Sequence, residues 1–386
     1  MAVTLQQILN SAYPAYAATH RLPLHVQKAV SVLRRCRTGA LGRNAVKCTA
    51  GHVLAVRRNS CRHRACPQCG WSTAERWLRD WETRLLPTTH FHVIFTVASE
   101  LHGLWQWNRK AFADILFQAA RDALVELLGQ ARHLGARPGL LLGLHTWGSA
   151  LPIHLHLHGL VTAGGVGPAG RWVATRPDFL IWGPILRDVF RHKMLAGLGR
   201  FLDRGLLSLP PTLSVAQVRA RLAQLRQRPW HVRIEPPYAS GKGLVVYLAR
   251  YLRGGPLKNH RLLAFTGTAV CFRYRHRRGR QRPKWRPITL PVEQFLDRLF
   301  QHVPVPGLQM VRASGLYGRH QRATLQRCRL QLQPGWQDPP PAPPAPARCP
   351  RCGGALVVVV SRMPCAPRPR PQKSMGPGPP VLGMSN

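Results

Sequence analysis

His154, His156 and His158 occupy alternate positions of the apolar run Leu151-Pro-Ile-His-Leu-His-Leu-His-Gly-Leu-Val161. Alternate residues of an extended strand point to one face, so the three imidazoles share a side while Ile153, Leu155 and Leu157 take the other. Neutral ring nitrogens at that spacing can hold a metal ion. Further along, Tyr247-Leu-Ala-Arg-Tyr251 sets two phenols four apart, which stacks them on one side of a helix. A metal-gripping strand and a two-phenol helix, in a chain of net charge +42, point to chemistry on DNA phosphates.

A second group of metal-binding side chains lies nearer the start. Cys36, Cys48, His52, Cys61, His63, Cys66 and Cys69 fall within thirty-four residues. Cys66-Pro-Gln-Cys69-Gly has the form of a zinc knuckle, two thiolates three apart with a glycine that frees the tight turn. Cys48-Thr-Ala-Gly-His52 can supply the other half, so Cys48, His52, Cys66 and Cys69 are the first choice of zinc ligands. Cys61 and Cys36 are the substitutes, and their number leaves room for a second ion. No general base accompanies the cluster, whose rim carries Arg57, Arg58, Arg62 and Arg64. That combination suggests a structural Zn²⁺ module that grips DNA. Cys349-Pro-Arg-Cys352-Gly-Gly is another knuckle-like pair; only Cys365 follows it, so a full site would need Cys328 or a partner from elsewhere.

Composition narrows the class. Lys and Arg number 56 against 14 Asp and Glu, a field that suits a polyanionic partner. Arginine dominates, and its planar fork fits phosphate better than lysine's point charge. Acids this scarce and scattered disfavour a two-metal carboxylate nuclease. There is no apolar run of transmembrane length and no signal-peptide pattern at the N-terminus, so a cytoplasmic, nucleoid-associated protein without a membrane partner is expected. The ten cysteines cluster rather than spread as a disulfide framework, which implies reduced, metal-binding thiols.

These side chains need elements to position them. Apolar spacing predicts helix over 1–35, 72–86, 102–134, 182–204, 215–226 and 244–252. Strands are expected over 90–97, 140–147, the histidine run, 230–235, and a hairpin-like pair at 262–265 and 269–275. Intermixed strands and helices with antiparallel neighbours argue for an α+β sheet. After Pro291 the pattern weakens; 333–347 reads as a proline-rich linker and 362–386 as disordered. Tryptophans 71, 77, 81, 105, 107 and 147 are core by default, with one or two free to stack on single-stranded bases.

Five stretches carry a resemblance: Asn59-Ser-Cys-Arg-His-Arg-Ala-Cys-Pro-Gln-Cys69, Phe91-His-Val-Ile-Phe-Thr96, Leu144-His-Thr-Trp-Gly148, His154-Leu-His-Leu-His158 and Tyr247-Leu-Ala-Arg-Tyr251. Together, in this order, they resemble the HUH endonucleases, and within them the two-tyrosine transposases of rolling-circle insertion sequences. The chain departs from the family where a CxxC is usual and Cys48 then His52 stand instead, and at His63 and Ala65. The resemblance implies a palm-like central antiparallel sheet flanked by helices, preceded by a small helical and zinc-knuckle domain. It also implies cleavage and rejoining of single-stranded DNA, at transposon ends and target, through 5′-phosphotyrosine intermediates on Tyr247 and Tyr251.

Mg²⁺ or Mn²⁺ would be held by His156 and His158, with His145 as third ligand and His154, His92 or Glu235 as alternatives. Arg250, Arg253, Lys258 and Arg261, with Arg62 and Arg64, are the candidate phosphate contacts. The expected division is 1–86 helical and zinc-binding, 87–285 nuclease, 286–332 a helical extension, and 333–386 a proline-rich tail with its CxxC. Two rivals stand beside a transposase: a plasmid replication initiator or relaxase of the same chemistry, and a non-catalytic zinc-dependent nucleic-acid-binding protein.

Overall fold

The computed structural model describes residues 3–252, 255–276, 282–337 and 348–361, with the backbone alone at 250–252 and 358–361. The expected disorder of 362–386, and residues 338–347 of the expected linker, lie outside the described residues.

Thr4 and Gln7 cap α1 (Leu5–Thr19) reciprocally, and α2 (Leu24–Arg34) starts after Pro23. The helix expected over 1–35 is therefore two helices, because Pro23 cannot continue the first. β1 (Arg43–Cys48) and β2 (Val53–Arg58) form a hairpin turned at Gly51, whose φ of 84° suits only a residue without Cβ. α3 (Gly70–Glu82) leads out of the second cysteine loop.

β3 (His90–Thr96) is followed by α4 (His102–Trp107) and α5 (Arg109–Gly129). The long helix expected over 102–134 breaks at Asn108, whose side-chain amide donates to the carbonyls of Leu104 and Ser208. β4 (Arg137–Trp147) and β5 (Ile153–Val166) are the longest strands, and β6 (Trp172–Ala174) pairs with the end of β5. α6 (Gly183–Asp203), α7 (Val215–Arg226, capped by Ser214), β7 (His231–Tyr238) and α8 (Lys242–Leu252) follow. Next come β8 (Leu262–Phe265), β9 (Ala269–His276), β10 (Lys284–Pro291), α9 (Val292–Phe300), β11 (Val311–Gly315), α10 (Arg322–Leu332) and β12 (Leu356–Ser361).

The fold is α+β. Six strands make the central antiparallel sheet, in the order β11-β4-β5-β3-β7 with β6 added on β5. Two smaller antiparallel sheets run β10-β9-β8 and β12-β1-β2. The segment 286–332, expected to be helical, thus contributes strands as well as helices. β11 is only Val-Arg-Ala-Ser-Gly, too short and too polar to announce itself; pairing with β4 makes it a strand.

Packing cuts across the linear divisions. One core joins the sheet to α5, α6, α7 and α8, with Phe95 against Phe190 and Phe190 against Trp230 at ring separations of 4.8 and 5.6 Å. The other joins α1 and α2 to β9 and α9, where Tyr13 and Tyr16 pack on Phe300 and the Tyr16 hydroxyl donates to Asp297. In the central sheet Leu144, Leu155 and Leu157 are fully buried. Each contributes about 1.5–3 kcal/mol by leaving water. A one-residue slip of β5 would drive its histidines into that core, so apolar burial fixes the register of the polar face. No helix among the described residues is long and apolar enough to cross a membrane.

Candidate active site and metal centres

Strand register builds the histidine site. His145 on β4 lies opposite His156 on β5, and Gly143 lies opposite His158. Directly opposed residues share a face, so three imidazoles meet there, and Gly143 sends no side chain to compete with His158. One ring nitrogen from each of His145, His156 and His158 lies within 4.8 Å of the others. His154 sits on the same side, its ring 4.7 Å from that of His156, but outside the trio. Glu235 is engaged by Arg233 at 2.8 Å and is also outside it.

Hydrogen bonds orient the rings. Nδ1 of His156 donates to the His154 carbonyl at 2.9 Å, which leaves Nε2 to face the centre. Nδ1 of His158 is 2.8 Å from Nε2 of His92, and Nε2 of His158 is buried without a hydrogen-bond partner. His92 reaches this position from β3, where a register shift between His90 and His92 bends the strand against β7. It therefore braces His158 rather than joining the trio, a position that its alternation with His90 alone does not disclose.

Burial sets the charge state. It holds His145 and His158 well below the usual imidazole range, with their histidine neighbours adding to the effect. Burial, then His154, takes His156 down to about 4. All three are neutral at pH 7, the form in which an imidazole binds metal.

α8 lies over this face, packed on α3, β4 and β5. It brings the ring of Tyr247 to 5.2 Å from His158, 5.9 Å from His92 and 6.2 Å from His145. Position 251 lies one turn further along α8; its side chain, like those of Arg250 and Arg253, is outside the described residues.

The cysteines divide differently from expectation. Cys36, Cys61, Cys66 and Cys69 converge with all sulfurs within 4.8 Å, whereas Cys48 and His52 meet Cys349 and Cys352. The expected quartet Cys48, His52, Cys66 and Cys69 is therefore corrected. The reason is the β1–β2 hairpin. Its turn carries Cys48 and His52, while Cys36 and Cys61 flank its open end, where Arg37 N–H donates to the Asn59 carbonyl at 3.0 Å. Six extended residues separate those ends by about 20 Å, too far for one ion. Alternation across Gly51 was the available signal. Cys328, considered as a partner for Cys349, is instead buried in the main core.

Within the first cluster, Cys61 and Cys69 lie 3.5 Å apart, as do Cys36 and Cys66. Hydrogen bonds from Cys61 and Cys66 drive the Cys69 thiol strongly down, and the same crowding pushes Cys61 up. Four converging sulfurs suit a soft divalent cation, and tetrahedral Zn²⁺ fits.

Several expected phosphate contacts have other partners. Arg261 donates to the carbonyls of Arg273, Pro256 and Ser149 and lies over Phe272 and Trp285. Its guanidinium ties loops together. Lys258 is half-buried, and burial lowers its pKa to about 8. Arg64 donates to the Leu308 carbonyl, while Arg62 is exposed. Trp81 and Trp105 are buried, whereas Trp71 is 64% exposed.

The zinc-binding domain of insertion-sequence transposases matches residues 8–97, and the family described as "Putative transposase" matches residues 139–324. The "Putative transposase y4qJ" of Sinorhizobium fredii is 33% identical over 322 residues, 82% of this chain and 80% of its own length. The "Transposase for insertion sequence element IS801" of Pseudomonas savastanoi pv. phaseolicola is 30% identical over 300 residues, 75% of this chain and 69% of its own length. No solved structure is significantly similar. On these matches the chain belongs to the two-tyrosine rolling-circle insertion-sequence transposases that carry an N-terminal zinc-binding domain.

Proposed function

We propose that this transposase cuts and rejoins single-stranded DNA through a phosphotyrosine formed on Tyr247, at a divalent-cation site held by His145, His156 and His158. The observation that carries this reading is the Tyr247 ring 5.2 Å from His158, against the face where three imidazole nitrogens converge. The residues suit a cation: they are neutral, and the buried His158 Nε2 has no hydrogen-bond partner. Imidazole is a better match for Mn²⁺ than for Mg²⁺, so Mn²⁺ is the ion of first choice. When bound, such an ion supplies Lewis-acid polarisation of the scissile phosphate.

The remaining steps belong to the chain. The Tyr247 hydroxyl loses its proton to solvent and attacks phosphorus; a P–O(Tyr) bond forms, the P–O3′ bond breaks, and the departing oxygen takes a proton from solvent to become a free 3′-hydroxyl. The phosphodiester energy is conserved in the 5′-phosphotyrosine, so a later 3′-hydroxyl can displace the phenol without ATP. One helical turn on, Tyr251 would serve a second strand. Because the histidines are buried, the phosphate must be threaded to them, which suits a flexible single strand.

Incubation of the protein with Mn²⁺ and labelled single-stranded DNA from the element's ends should give an adduct that survives denaturation. Tyr247→Phe should abolish it, and Tyr251→Phe should remove the second transfer. An adduct that persists in the Tyr247→Phe, Tyr251→Phe double variant would overturn the assignment. A wild-type protein that binds those ends without forming an adduct would favour a non-catalytic binding protein.

A further inference from the structure

The cysteine pair near the C-terminus is not absorbed by the catalytic reading, and its position in the fold gives it a use. β12 runs back to the N-terminal module and pairs antiparallel with β1, from Cys48 opposite Leu356 to Arg43 opposite Ser361. The loop before β12 is tied down by the Cys349 N–H on the Gly354 carbonyl at 2.9 Å and the Thr49 N–H on the Ala355 carbonyl at 3.1 Å. Gly353, at φ 69°, makes the turn that brings Cys349 and Cys352 together. Opposite them the β1–β2 turn closes with the Cys48 N–H on the His52 carbonyl at 3.0 Å, and the His52 N–H donates to the Cys48 sulfur at 3.3 Å.

The four ligand atoms that result lie within 4.8 Å of one another, and three of their six separations are those of a tetrahedral site. Cys48 Sγ to His52 Nδ1 is 3.4 Å, Cys349 Sγ to His52 Nδ1 is 3.8 Å, and Cys352 Sγ to Cys48 Sγ is 3.6 Å. A tetrahedron of ligands about 2.0–2.3 Å from Zn²⁺ has edges of about 3.3–3.8 Å. The cysteines are free thiols, and the spacing is far beyond an S–S bond of about 2.05 Å. Soft thiolates with one imidazole select zinc over a hard cation.

We propose that Cys48, His52, Cys349 and Cys352 form a second zinc site, one that fastens the C-terminal segment to the N-terminal module and completes it as a three-stranded ribbon. The two halves of this site are 304 residues apart in sequence between Cys48 and Cys352, with the whole catalytic sheet between them. The hairpin alone offers two ligands, too few for a closed structural site, so the module is finished only when the end of the chain returns. This site is separate from the Cys36, Cys61, Cys66 and Cys69 cluster, and it does not depend on the catalytic assignment.

The test is metal content of the full-length protein, purified under reducing conditions and measured by elemental and native mass spectrometry. Two zinc ions per chain are expected, falling to one in the Cys349→Ser, Cys352→Ser double variant. Cobalt replacement gives a second reading: His52→Cys should keep two metals while shifting one site's visible spectrum from a three-sulfur to a four-sulfur pattern. That variant retains the metal, so it tests the site even where the serine variant fails to fold. One zinc in the wild type, two zincs in the serine double variant, or a cobalt spectrum unmoved by His52→Cys would each overturn the proposal.

Discussion

His92 is the strongest test of how the histidine site is built. Its Nε2 lies 2.8 Å from Nδ1 of His158, and only 6% of the residue is exposed. For His158 to offer a lone pair on Nε2, its Nδ1 must carry the proton and donate to His92, so the bond selects the metal-competent tautomer. His92→Leu removes the acceptor and strands a buried N–H, which costs about 1–3 kcal/mol. Loss of a hydrogen bond behind a ligating histidine costs about 10- to 100-fold in metal affinity, or about 1.4–2.8 kcal/mol. The two routes agree, so Mn²⁺ binding measured calorimetrically without DNA should weaken about 10- to 100-fold. His92→Gln, which can present an oxygen to the same N–H, should recover most of the loss. Unchanged Mn²⁺ affinity in His92→Leu, with only thermal stability reduced, would show that His92 is packing and does not set the His158 tautomer.

Other expectations follow from the same structure. Cys66→Ser should remove the zinc of the first cluster and, because the loop after α8 touches that cluster, reduce adduct formation while leaving Mn²⁺ binding in place. Gly197→Ala would set a methyl 2.6 Å from Ile115 Cγ2. Overpacking at about 1–3 kcal/mol outweighs a helix-propensity gain of about 1 kcal/mol. Net loss by urea unfolding is expected, and it should vanish in an Ile115→Ala background. Burial holds both His90 and His302 down to about 4. Between pH 6.5 and 4 the unfolded chain takes up protons that these folded histidines refuse, so stability should fall as pH falls through that window, by up to about 3 kcal/mol each. His302→Gln should flatten that part of a chemical-denaturation profile.

Much of the site is legible in sequence because strand periodicity is simple physics. Alternation puts His156 and His158 on one face without knowledge of any neighbour. That His145 faces His156 needed the β4–β5 register, which apolar burial supplies only once the sheet is assembled. The zinc ligands were harder, since spacing ranks cysteine pairs but does not say which ends of a hairpin they occupy. Contacts across the chain were illegible: nothing local to Cys349 points to Cys48, and nothing local to Arg261 reveals that carbonyls of three residues claim its guanidinium. The same holds for α1 and α2, whose apolar stripes read as helices but whose partner, α9, lies more than 250 residues away.

The first cysteine cluster is joined to the helix that carries Tyr247 by packing. Cys69 ends the loop of the first cluster and directly precedes α3, and α3 packs against α8, which carries Tyr247. Contact is close at both ends of α8. A Cβ on Gly241, just before the helix, would meet Leu85 at 3.0 Å and the His90 ring at 3.1 Å. A Cβ on Gly255, beyond its other end, would fall 2.5 Å from the Ala65 carbonyl oxygen, within the cysteine loop itself. An ion that shapes the loop at Cys61, Cys66 and Cys69 would therefore bear on the segment that follows α8, where Gly255 meets Ala65. On the proposed assignment, an ion in this cluster would help to place Tyr247 over the histidines through packing alone, without touching the reacting atoms.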